Sequence, residues 1–120
     1  MVQRTAQKMT DKLVVLVTCG SAKEARRIAR ALVEARLAAC GNIVEAPVSS
    51  IYRWKGKVET ASEYLLLVKT SRRRFAAAEQ MIKRLHSYDV PEIIALPVAV
   101  GSPGYLRWID QCVGGRTGRK

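Results

Sequence analysis

IVEAPVSSIYRWKGKVETASEYLLLVKT, residues 43–70, decides the fold. Both halves are rich in β-branched and aromatic residues, and Lys55-Gly56-Lys57 supplies a turn between them. The pattern predicts a long antiparallel hairpin with arms at 43–54 and 58–70. Pro47 cannot donate to a strand ladder, so it marks a bulge or a sheet edge in the first arm. In the second arm Leu65, Leu66, Leu67 and Val68 are consecutive, which makes both faces of that strand apolar.

The flanks repeat a simpler unit. LVVLVTC (13–19) reads as a strand buried on both faces. Ser21 and Glu24 have capping-box spacing and open a helix with Ala25, Ile28, Ala29 and Leu32 on one side. Arg26, Arg27 and Arg30 fall on the other side, and Gly41 offers a left-handed stop just after Cys40. Beyond the hairpin, Ser71 is placed to cap a second helix on which Phe75, Ala78, Ile82 and Leu85 share a face. Arg72, Arg73 and Arg74 oppose the dipole of its first turn and make a spot that attracts anions. Pro91 ends that helix, residues 92–100 form a strand with Pro97 at an edge or bulge, and 105–113 form a short amphipathic helix docked by Tyr105 and Trp108.

The resulting order, β-α-β-β-α-β plus a C-terminal helix, is an α+β ferredoxin-like arrangement: an antiparallel sheet with helices on one face. The uncovered face would be apolar, so self-association is expected. The 120 residues suit one domain, placed at 12–113, with a loose N-terminal extension (1–11) and a basic flexible tail (114–120). No apolar run approaches membrane-spanning length, and MVQRTAQKMTDK lacks the apolar region of a signal peptide. Three widely spaced cysteines, with no C-x-x-C pair, argue against a disulfide framework or structural zinc. A cytoplasmic setting and a fold needing no cofactor follow.

The net charge of +11 favours acidic partners or is simply a solvated basic surface. Nucleic acid is not expected: the first strand has no base-stacking aromatic and the return strand only Tyr64. No nucleophile–base pair is visible, so the chain is not expected to be an enzyme.

The chemistry concentrates in KRLHSYDVPEI (83–93). His86, the only histidine, is either a metal ligand or a helix-end residue facing free carbonyls. Asp89 and Glu92 are either its co-ligands and orienting acceptors or turn residues. Cys40 is either a soft ligand suited to copper(I) or a small packing residue; Cys19 and Cys112 read as packing. Tyr52, Trp54 and Lys57 cluster at the hairpin tip as interface anchors or a stacking wall. Glu59, Glu63, Lys69 and Tyr88 are candidates to line a cleft between subunits, with a cross-strand lysine–glutamate pair as the alternative.

ARLAACGNIV (35–44), SIYRWKGKVE (50–59), EYLLLVKT (63–70), LHSYDVPEIIALPV (85–98) and YLRWI (105–109), in this order and spacing, resemble the CutA family of divalent-cation tolerance proteins. The resemblance runs from Leu13 to Cys112. It implies a homotrimer with hairpins reaching between subunits, an architecture similar to PII signalling proteins, a cytoplasmic location and a link to copper tolerance without an established reaction. The expected function is therefore a trimer that binds copper or a similar divalent ion through Cys40 and His86, supported by Asp89 and Glu92. The alternative is a PII-like regulator holding a small anion in the inter-subunit cleft, using Arg72 to Arg74 and Lys69. The expected partners are further copies of the chain and the ion or small anion, with no membrane involved.

Overall fold

Every predicted element forms, with shifted boundaries. The computed structural model describes residues 9–114 as β1 (Lys12–Cys19), α1 (Ala22–Glu34), β2 (Cys40–Ile43), β3 (Val48–Trp54), β4 (Lys57–Ser71), α2 (Phe75–Leu85), β5 (Ile93–Pro97) and α3 (Pro103–Val113). The sheet runs β2–β4–β1–β5, antiparallel throughout, and β3 extends β4 outward as the exposed part of the hairpin. Pro47 lies in the break between β2 and β3, so the first arm is two strands rather than one. At the tip Lys55 (φ 50°) and Gly56 (φ 81°) are both left-handed, as a two-residue turn matched to strand twist requires.

The helix ends depart from the sequence reading for identifiable reasons. α1 stops at Glu34 rather than near Cys40. Arg36 takes the left-handed position (φ 59°), and Arg36 N–H and Leu37 N–H bond back to Val33 and Leu32 carbonyls. That is a Schellman closure without its usual glycine, which hid it from the sequence. Gly41 sits instead in β2, where a Cβ would lie 2.8 Å from the Ala29 Cβ; its absence lets α1 lie close on the sheet.

Ser71 does not cap α2: it is buried and its Oγ has no partner among the described residues. Arg72–Arg74 form a single 3₁₀ turn ahead of the helix. Arg73 and Arg74 donate to the Gly114 and Val113 carbonyls at the end of α3. Arg73 and Arg74 thus satisfy a helix C-terminus, while Arg72 is exposed.

Val15, Val17, Leu66 and Val68 face α1 and α2, where they meet Ile28, Leu32 and Ile82, all fully buried. The strand period of two puts Lys12, Val14, Leu16 and Thr18 on the other face. α3 covers one end of that face: Asp110 lies 2.8 Å from Lys12 Nζ, and Ile109 and Val113 pack on Ala39. Tyr105 and Trp108 are not buried in docking the helix, and only the Tyr105 hydroxyl reaches β2, at Cys40. They stack on each other at 5.4 Å and stay exposed. The rest of the face carries Val14, Leu16, Leu65, Leu67, Ile94 and Leu96, the last two 52% exposed. The extension expected to be loose is tied down in its described part, since Thr10 N–H and Oγ1 both bond to the Val98 carbonyl. Residues 1–8 and 115–120 lie outside the described residues.

Candidate functional site

α2 ends at Leu85, six residues ahead of Pro91, and His86 leaves it with extended backbone (φ −80°, ψ 143°). The segment that follows is fastened from below. The His86 imidazole is fully buried, with Nε2 2.8 Å from the Thr18 carbonyl of β1. Tyr88 N–H lies 3.1 Å from Nδ1. A backbone N–H only donates, so Nδ1 carries no proton and Nε2–H donates to Thr18. Both ring nitrogens are thereby engaged, and Glu24 at 3.8 Å is a neighbour rather than an ion-pair partner.

Glu24 completes the fastening. Its own N–H is capped by Ser21 Oγ as the capping box predicts, but its carboxylate does not return to the helix start. It accepts from Ser87 N–H (2.6 Å) and Ser87 Oγ–H (3.2 Å). Sequence reasoning missed this role, because a glutamate three residues after a serine already had a local explanation.

Held in this way, Tyr88 stacks on His86 at 4.7 Å and donates its hydroxyl proton to Glu63 Oε2 at 2.7 Å. Burial pushes the Tyr88 phenol up, and the hydrogen bond and charge of Glu63 push it further, so it stays a donor at neutral pH. Tyr52, Trp54, Glu63, Tyr88, Asp89 and Glu92 together line a cavity of about 560 Å³ between the hairpin and the 86–92 segment. Three of these are carboxylates, and among the described residues no lysine or arginine lines the cavity. Glu63 is only 7% exposed.

Lys57, Glu59 and Lys69 lie outside this cavity, opposite Trp54, Tyr52 and Cys40 across the ladder, so the lysine–glutamate cross-strand pair does not form. Nor do Cys40 and His86 of one chain share a site. Cys40 pairs with Lys69, whereas Thr18, to which His86 bonds, pairs with Leu65; four residues of β4 separate them, about 13 Å. Cys40 Sγ instead sits 3.7 Å from the Tyr105 hydroxyl and 3.9 Å from Lys69 Nζ. Among the described residues, no group of three His, Cys, Asp or Glu side chains is arranged to hold a metal ion.

Cys19 is fully buried, and burial, aided by the charges of Glu24 and Glu63, pushes its thiol up to about 12. At pH 8 about one molecule in ten thousand would carry the thiolate. A disulfide exchange reagent at that pH should therefore give the same count of reactive thiols in the native parent and in Cys19→Ser. Unfolding in guanidinium should raise only the parent's count by the extra thiol.

Comparison with known proteins matches residues 13–112 to the CutA1 family, described as divalent ion tolerance proteins. The divalent-cation tolerance protein CutA of Thermus thermophilus is 52% identical over 101 residues, covering 84% of this chain and 97% of that one. The mouse protein CutA is 48% identical over 95 residues, 79% of this chain, which spans only 53% of the mouse protein. The solved structure of the periplasmic divalent cation tolerance protein CutA from Archaeoglobus fulgidus is 41% identical and superposes with a TM-score of 0.82, covering 85% of this chain and 98% of that one.

Proposed function

The chain belongs to the CutA1 divalent ion tolerance family, and we propose that it acts by binding a divalent metal ion, copper or one of similar preference, as a homotrimer. The observation that supports this reading is the acidic cavity. Glu63 is buried without a cationic partner among the described residues, and Asp89 and Glu92 stand in the same lining. Among the described residues Glu63 is satisfied only at Oε2, by Tyr88, so its remaining oxygen is free to meet an external cation in the cavity. Because one subunit assembles no three-ligand group among its described residues, the coordination is completed by a second copy. The open apolar face of Val14, Leu16, Leu65, Leu67, Ile94 and Leu96 gives a reason for copies to associate. The role is binding rather than catalysis. The setting is cytoplasmic in this reading, although the name of the Archaeoglobus relative places that protein in the periplasm. No helix among the described residues is long and apolar enough to cross a membrane.

Two measurements test this reading. Light scattering should give three times the 13.3 kDa chain mass. Titration with copper(II), zinc and magnesium should show saturable binding that weakens tenfold or more in Asp89→Asn/Glu92→Gln. Cys40→Ser should leave it unchanged. Binding lost in Cys40→Ser but kept in the carboxylate variant would overturn the placement of the ion. A monomeric mass would overturn the assembly.

The PII-like alternative has no observation in its favour. Arg73 and Arg74 are engaged at the end of α3, Lys69 is engaged by Asn42 and Cys40, and the cavity lining is acidic.

A further inference from the structure

A bare metal ion explains the carboxylates of the cavity but not its walls or its size. Tyr52 and Trp54 present large aromatic surfaces, 43% and 42% exposed, on β3, and the Tyr88 ring faces them from the 86–92 segment. The volume of about 560 Å³ is within the range that encloses small organic ligands. A charge-free apolar ligand would leave Glu63 uncompensated, and an organic anion would meet three carboxylates. The remaining class combines a positive head with an apolar body. Its charge would be balanced by Glu63 and its body held against ring faces, which attract cations.

Glu63 is arranged for this. It is more than nine-tenths buried, and Tyr88 occupies only its Oε2. Oε1 has no hydrogen-bond partner, and the carboxylate no ion-pair partner, among the described residues. The His86–Tyr88 and Glu24–Ser87 bonds fix the wall that carries Tyr88, so the site is preformed rather than folded around its ligand.

We propose that the cavity is a binding site for a small organic cation, an alkylammonium or guanidinium group with an apolar body, recognised by Glu63 between the rings of Tyr52, Trp54 and Tyr88. This goes beyond metal binding and does not need it: the ammonium head takes the place a metal ion would neutralise, and the two ligands compete.

The test is calorimetric titration of the full chain, in its native assembly and in the presence of a chelator, with benzylammonium and with its uncharged counterpart benzyl alcohol. Benzylammonium should bind saturably and benzyl alcohol at least tenfold more weakly. Glu63→Gln, which retains an acceptor for the Tyr88 hydroxyl, should weaken benzylammonium at least tenfold. Trp54→Ala, at an exposed hairpin position, should weaken it severalfold. In Trp108→Phe, where Trp54 is the remaining indole, the ligand should change the fluorescence. Equal binding of amine and alcohol, binding indifferent to Glu63→Gln, or no binding up to about 10 mM would each overturn the proposal. The chelator keeps this outcome separate from that of the metal titration.

Discussion

Replacing His86 with alanine should destabilise the protein by about 4 kcal/mol, and by the same amount in the presence of a chelator as in its absence. The figure follows from what the imidazole does. It satisfies the Thr18 carbonyl and the Tyr88 N–H at a fully buried position. Each group left without a partner in the interior costs about 1–3 kcal/mol, and the cavity left by the ring adds to that. His86→Gln, which keeps a donor and an acceptor on a flexible chain, should fall between the two. Urea unfolding with EDTA provides the measurement. A histidine acting as a metal ligand behaves in the opposite way: its loss matters only with metal present. Stability equal to that of the parent in EDTA would therefore remove the structural role assigned here. The variant should also lose cavity binding, since Tyr88 would no longer be held against Glu63.

The legible parts of the chain were those where local pattern and tertiary placement agree. The alternation of Leu66 and Val68 against Leu65 and Leu67 fixed a strand with one face to the helices and one to the outside, and the structure has both. Tyr52, Trp54, Glu63 and Tyr88, read as interface or cleft residues, and Asp89 and Glu92, read as helpers of His86, line one cavity, whereas Lys57, Glu59 and Lys69 of the same cleft reading do not. What stayed hidden depended on contacts between residues far apart in the chain. Nothing near Glu24 announces that its carboxylate serves Ser87, 63 residues away. The tautomer of His86 is set by a strand carbonyl 68 residues distant. Pairing Cys40 with His86 as ligands rested on side-chain chemistry, whereas their separation is a matter of sheet register. The arginine run misled in a similar way, because the carbonyls it satisfies belong to a helix that begins some thirty residues later.

The Lys12 ammonium poses a second sharp test. Its side chain is 5% exposed, yet it sits on the outer face of β1 with two carboxylates for company, Asp11 beside it and Asp110 reaching down from α3. Burial alone would push its proton off; the hydrogen bonds and charges of Asp11 and Asp110 outweigh that and raise the lysine above 10.5. Because the folded value exceeds the unfolded one, this contribution to stability is complete below pH 10.5 and fades as pH climbs through the folded value. Asp11→Asn/Asp110→Asn strands a buried cation. Such losses run about 3–5 kcal/mol, and since both carboxylates are more than half exposed and partly screened, the lower end, about 3 kcal/mol, is expected. Lys12→Met should cost far less, below about 1 kcal/mol, because it removes the charge and leaves two aspartates already in water. The order of the two variants is the diagnostic, read from urea unfolding at pH 7. If the double aspartate variant unfolds with the parent, the ammonium reaches solvent and α3 is held by Ile109 and Val113 and by the arginine bonds at its end. If Lys12→Met, which keeps the apolar stem and removes the ammonium, proves the worse of the two, the hydrogen bonds of the ammonium, which asparagine can still accept, and not the neutralising charges are what seat the helix on the sheet.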